Sequence, residues 1–216
     1  RFFGKDMKRK WGQHFLARER YVTRMLEVAG VKNGDNVLEV GPGRGVLTRA
    51  LLQAGASVTA VEVDPELQVW LLEEFAGENR FRLIAQDVLT CAPENLLPPS
   101  EPARFVANLP YNIGTAIFFH LFPHRMRWQS WSLMVQKEVA ERICAGPADK
   151  KAYGLLSVAG ALGFECELAF VVPPSAFQPP PKVDSAVVHL RPRASGWDVA
   201  AEAEFLRFVG QLFQQR

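Results

Sequence analysis

Val37-Leu38-Glu39-Val40-Gly41-Pro42-Gly43-Arg44-Gly45 is the stretch that decides the fold. Its first four residues read as a fully buried strand, and the pattern from Val46 to Ala54 is helical. A strand that empties through glycines into a helix lets the backbone approach a ligand closely, and the helix N-terminus favours electron-rich groups there. A dinucleotide fingerprint would be G-x-G-x-x-G, but Gly45 comes one residue early and Val46 stands where the third Gly should be. A nicotinamide dehydrogenase is therefore disfavoured.

Working outward, Ser57 to Val61 is the next strand and ends in Glu62-Val63-Asp64. An acidic residue about 20 positions after the first Gly is where a ribose-diol acceptor belongs. Glu62 fits that role, because Asp64 precedes Pro65 and can cap the following helix, which runs to about Ala76. Phe81 to Ala85 is a third strand, followed by Gln86-Asp87-Val88. The Asp87 carboxylate can accept from an adenine amino group, with Val63 and Val88 sandwiching the ring; as a plain turn or N-cap residue it would do neither. Further strands at Phe105–Asn108, Trp131–Val135, Phe164–Val172 and Ala186–Leu190 bring the number to seven. Four βα units in order imply an α/β, Rossmann-like, doubly wound and mostly parallel sheet.

Phe105-Val-Ala-Asn-Leu-Pro-Tyr-Asn112 is a buried strand that stops at polar and Pro positions. Pro110 fixes its own φ and pushes Leu109 into an extended conformation, so the Leu109 carbonyl is aimed. With the Asn108 side-chain oxygen, it could take both hydrogens of an exocyclic amine. Tyr111 adds a flat face on which a base can stack.

At 216 residues the chain suits one domain, or one plus a small appendage. No apolar run approaches a membrane span and none resembles a signal peptide. Cys91, Cys144 and Cys166 are far apart and read as free thiols in a reducing compartment, so a cytoplasmic protein with no membrane association is expected. His120 and His124 flank Pro123 without an H-E-x-x-H glutamate, and no metal is expected. The net charge of +2 hides a basic start, where Arg1, Lys5, Lys8, Arg9 and Lys10 sit among Phe2, Phe3 and Trp11. Basic residues interleaved with aromatics suit a nucleic-acid strand, although a solvated tail has the same composition.

Trp11 to Leu16 is turn-like, and a helix through Val22, Met25, Leu26 and Ala29 ends near Gly30. Gly114–Leu121 and Lys137–Cys144 are helical, and Gly146–Gly154 is a loop carrying Lys150, Lys151 and Tyr153. Pro173 to Ser185 is a stiff, Pro-rich loop whose one large apolar side chain, Phe177, is read as a second stacking face. In the last helix, about Ala200 to Gln215, an apolar face of Phe205, Phe208, Val209, Leu212 and Phe213 needs a partner. The expected division is a domain over 1–193, with a basic arm and cofactor segment at 1–16. Residues 194–216 would be a linker and the first helix of an otherwise absent helical domain.

The G-x-G-x-G turn resembles S-adenosylmethionine-dependent methyltransferases of class I fold. The whole set resembles the rRNA adenine dimethyltransferase family, most closely its small-subunit, kasugamycin-resistance branch. The resemblance spans Lys8 to Pro192 and rests on Gly12-Gln-His-Phe-Leu16, Glu39-Val-Gly-Pro-Gly43, Val61-Glu-Val-Asp64, Gln86-Asp87, Asn108-Leu-Pro-Tyr-Asn112, Gln136-Lys-Glu-Val139, Tyr153-Gly154 and Pro174 to Ser185. It implies that S-adenosylmethionine is held by Gln13, His14, Leu16, Gly41, Gly43, Glu62, Val63, Asp87, Val88 and Asn108. It also implies that Asn108, Leu109, Pro110, Tyr111 and Phe177 receive the target adenine. His14 departs from the Asn of many relatives. The implied reaction is dimethylation of two adjacent adenosines near the 3′ end of small-subunit rRNA, with rRNA or an immature small subunit as partner and the enzyme a monomer. The competing readings are a large-subunit enzyme of the antibiotic-resistance type and a non-catalytic assembly or transcription factor on the same fold.

Overall fold

The computed structural model describes residues 14–96 and 103–214. Among these residues nine strands and seven α-helices follow in order: β1 (Phe15–Leu16), α1 (Glu19–Ala29), β2 (Asn36–Val40), α2 (Val46–Gln53), β3 (Ser57–Val61), α3 (Pro65–Glu74), β4 (Phe81–Ile84), β5 (Ala103–Asn108), α4 (Gly114–Leu121), β6 (Trp128–Gln136), α5 (Lys137–Cys144), α6 (Leu155–Gly163), β7 (Phe164–Val172), β8 (Phe177–Gln178), β9 (Ser185–Pro192) and α7 (Val199–Gln214).

Seven strands form one sheet in the order β4-β3-β2-β5-β6-β9-β7. The first five pair in parallel, and β9 runs antiparallel to both β6 and β7. Alternate residues of each central strand enter different cores. Leu38, Phe105 and Ala107 join the core with α4, α5 and α6, whereas Val37 and Val106 join the core with α1, α2 and α3. Burial on both faces is why these strands read as continuous apolar runs rather than alternating ones. Asp64 caps α3 by accepting from the Glu66 amide at 2.9 Å, with Pro65 at the first helical position, as the sequence implied.

Three elements escape the sequence reading. The pair β1 and β8 forms a two-stranded antiparallel sheet, where the sequence suggested only a turn and a stiff loop. Helix α6 occupies the stretch after Gly154 that was assigned no element. Its sequence, Leu-Leu-Ser-Val-Ala-Gly-Ala-Leu-Gly, has no polar face because it is packed on several sides. A Cβ on Gly160 would lie 2.4 Å from the Ile143 carbonyl oxygen, so the glycine sets how closely α5 and α6 approach.

Helix α7 finds much of its partner within the chain. Val209 is buried, Phe205 meets Trp197 edge-on, and Phe213 meets Tyr153. Arg125 and Glu202, both buried, join the helix to the segment after α4 through a bidentate pair whose longer bond is 2.7 Å. Phe208 and Leu212 stay exposed.

Gly160→Ala is expected to destabilise the protein by about 1–3 kcal/mol through forced separation of α5 and α6. A urea unfolding series measures this, and a midpoint equal to that of the wild type would refute the close-packing account.

Candidate active site

The parallel register sets the site. Extended by one pair between β2 and β3, and by three between β2 and β5, the parallel alignment puts Gly41 between Glu62 and Asn108. The Gly41 amide donates to the Val61 carbonyl at 2.9 Å, and the Glu62 amide donates to Ile84 at 3.1 Å, so the strand tips end level. The sheet order reverses direction at β2, and the crevice at such a switch point is where open α/β sheets bind ligands.

One pocket at this edge is lined by His14, Phe15, Leu16, Glu39, Gly41, Gly43, Glu62, Val63, Asp87, Asn108, Leu109, Pro110 and Tyr111, among others. Gly43 has φ 57°, and a Cβ there would meet the Phe15 ring at 2.9 Å. The loop thus needs glycine both for its conformation and for the segment lying over it.

Glu62 receives the Val63 and Asp64 amides on one oxygen, each at 3.0 Å. Burial raises its pKa, opposed by these bonds and by one from the Gly43 amide. Asp87 accepts from the Leu89 amide at 2.9 Å, so it is a turn cap as well as a pocket residue. The Asn108 amide nitrogen donates to the His14 carbonyl at 3.4 Å, while its Oδ1 is buried with no hydrogen-bond partner among the described residues. An orphan acceptor of this kind costs roughly 1–3 kcal/mol unless a ligand donor satisfies it. Tyr111 bonds through its hydroxyl to Ser185 and stacks on the His14 ring at 5.5 Å, and burial raises its pKa.

Two assigned side chains lie elsewhere. Val88 is buried in the core beneath the sheet, because the turn that Asp87 caps carries it inward and presents Leu89 to the pocket instead. Phe177 is 4% exposed and packs with Leu16 in the other core, since β8 pairs with β1 in that register. Gln13 and the basic arm lie outside the described residues. Among the described residues, no group of three His, Cys, Asp or Glu could hold a metal ion, and no helix is long and apolar enough to cross a membrane.

Sequence reasoning passed over Glu39. It is fully buried, lines the pocket and accepts from the Thr48 hydroxyl at 2.6 Å. Burial pushes its pKa up to about 8, against the Thr48 bond and with help from Glu62. The signal was available: a lone carboxylate inside Val-Leu-Glu-Val is a buried charge that needs a reason.

The family model described as ribosomal RNA adenine dimethylase matches residues 4–216. A ribosomal RNA small subunit methyltransferase A from Magnetococcus marinus is 43% identical over 221 residues, covering 99% of this chain and 77% of that protein. The protein of the same name from Thermosynechococcus vestitus is 45% identical over 190 residues, covering 86% of this chain and 69% of that one. Among solved structures, a dimethyladenosine transferase from Plasmodium falciparum superimposes with TM-score 0.72 at 31% identity, covering 83% of this chain and 64% of that chain. The 23S rRNA methyltransferase ErmE superimposes with TM-score 0.69 at 33% identity, covering 83% and 70%.

Glu39 makes stability depend on pH. Between its usual value near 4.5 and about 8, the folded protein holds a proton that the unfolded chain has released, so stability falls as pH rises through that window. The limiting slope is about 1.4 kcal/mol per pH unit. Glu39→Gln should flatten it, leaving a smaller slope of the same sign from Glu62. Unfolding midpoints across that range check this, and an unchanged slope in the variant would contradict it.

Proposed function

We propose, from the premise that this chain belongs to the ribosomal RNA adenine dimethylase family, that it transfers methyl groups to the exocyclic amino nitrogen of adenine in small-subunit rRNA. The product is the N6,N6-dimethyl form, on two adjacent adenosines near the 3′ end. The observation that carries the reading is the orphan Oδ1 of Asn108, an acceptor held at the strand edge among pocket residues that suit a nucleoside.

The residues fit S-adenosylmethionine as cofactor. Asp87 would take the adenine amino group between Val63 and Leu89, Glu62 the ribose diol, and the Gly41 to Gly43 turn the close-lying remainder, beside Glu39. Bound there, the cofactor supplies an electrophilic methyl on a sulfonium. His14, Leu16 and Gln13 belong to the segment over the turn.

The amino nitrogen of adenine is a poor nucleophile because its lone pair is delocalised into the ring. Asn108 Oδ1 and the Leu109 carbonyl draw on its two hydrogens and favour a pyramidal nitrogen whose lone pair points outward. Pro110 keeps that carbonyl aimed, and Tyr111 gives the base splayed from its helix a surface to stack on. Catalysis is then positioning and electrostatics, with no general base required. This substrate places the enzyme in the cytoplasm, where ribosomal subunits mature. Relatives named as small-subunit methyltransferases, at 43% and 45% identity, support the small-subunit branch.

Unmethylated small subunits and labelled cofactor test the reading, with nucleosides identified after digestion. The wild type should yield dimethyladenosine. Asn108→Ala should lose at least about 100-fold in transfer while S-adenosylhomocysteine still raises its melting temperature. Wild-type transfer by the variant would overturn the assignment, and methylation of large-subunit RNA alone would move the enzyme to the other branch.

A further inference from the structure

The two-stranded sheet of β1 and β8 is too short to hold itself together, since even a longer isolated pair is marginal in water. It lies where the segment over the cofactor turn meets the Pro-rich loop. At one end the Ala17 amide donates to the Ala176 carbonyl at 2.8 Å. Antiparallel pairs alternate between bonded and unbonded, so His14 and Pro179, three pairs further on, fall at a position where main-chain groups point apart. No ladder bond closes that end. The His14 side chain does so instead, with Nδ1 2.8 Å from the Pro179 carbonyl oxygen. A carbonyl only accepts, so Nδ1 carries the proton.

The same geometry turns the His14 carbonyl outward, where the Asn108 amide nitrogen meets it at 3.4 Å. An Asn amide can present either its oxygen or its NH2 group to a substrate. Because the His14 carbonyl can only accept, it takes the NH2 group and leaves Oδ1 as the orphan. A drift of the segment by a fraction of an ångström would break this long bond and free the amide to turn. It would then present a donor to the substrate amine, itself a donor. The stack on Tyr111 joins the same ring to the third part of the site.

We infer that His14 is a positioning residue for the transfer step: its imidazole clamps the N-terminal segment to the Pro-rich loop, and the clamped His14 carbonyl orients the Asn108 amide. This rests on the rRNA adenine reading above. It gives His14 a role on the target side of the site beside its place in the segment over the cofactor turn.

Three variants of the full chain separate the possibilities. Asn has an amide nitrogen on its γ-carbon, as His has Nδ1, so His14→Asn can reach the Pro179 carbonyl. His14→Phe keeps a ring on Tyr111 without the donor, and His14→Ala removes both. His14→Ala and His14→Phe should lower kcat, read at saturating S-adenosylmethionine, for methylation of small subunits by about 10- to 100-fold, with His14→Asn near wild type. Amide hydrogen exchange across 15–17 and 176–178 should quicken in the Ala and Phe variants and not in the Asn variant. An unchanged kcat at saturating cofactor in His14→Ala would overturn the assignment. So would an active Phe variant beside an inactive Asn variant. If the wild type methylates no rRNA, the functional reading falls, and the exchange rates still decide the clamp: unchanged exchange in His14→Ala refutes it.

Discussion

The rest of the structure depends on the parallel pairing of β2 with both β3 and β5. Each of these strands is buried on both faces, so the only places where they can meet a ligand are their ends. Parallel strands in level register finish together, and the side chains just past those ends become neighbours although they are far apart in sequence. Glu62, Gly41 and Asn108 meet for this reason alone. The reversal of strand order at β2 then opens the crevice, because the connections leaving β2 and β5 pack on opposite faces of the sheet.

The charge of the pocket follows from the same geometry. Glu39, Glu62 and Asp87 come from three adjacent strands and all line it. Two of them are buried, and burial raises the pKa of each. Such a site resists gathering more negative charge and accommodates a ligand with cationic groups, in agreement with a sulfonium cofactor and unlike a dinucleotide with its pyrophosphate. The Gly turn says the same in steric terms: the room above Gly43 is taken by the Phe15 ring. At the Asn108 end the lining is neutral, built from an amide oxygen and a main-chain carbonyl.

Most of the sheet and the polar ends of its strands were legible because fully buried strands print as unbroken apolar runs, and the residue that ends such a run is conspicuous. Ser57–Val61 and Lys137–Cys144 match their expected limits for that reason and for clear amphipathicity, respectively. What stayed hidden depends on packing in three dimensions. Helix α6 is apolar all round and holds two glycines placed for contact with α5 and the segment after α4, so periodicity cannot find it. Val88 and Leu89 exchange roles through one tight turn, which no composition reveals. The pairing of β1 with β8 joins residues 161 and 163 positions apart through two-residue strands, below what any local pattern can signal.

Phe177 shows how magnitudes decide between two rings. In the sequence it is the obvious second stacking surface for a base, and in the fold it is packed against Leu16 inside the core. Withdrawing a buried Phe costs roughly 1.5–3 kcal/mol, and stacking on a base returns roughly 1–3 kcal/mol, so moving it gains nothing on balance. Tyr111 faces no such choice, because it already lines the pocket with its hydroxyl fixed to Ser185. On the proposed reading stacking then falls to Tyr111, whereas Phe177 packs beneath the Pro-rich loop that carries the Pro179 carbonyl to His14. On that reading its contribution would reach the target amine through the core and the clamp rather than by contact.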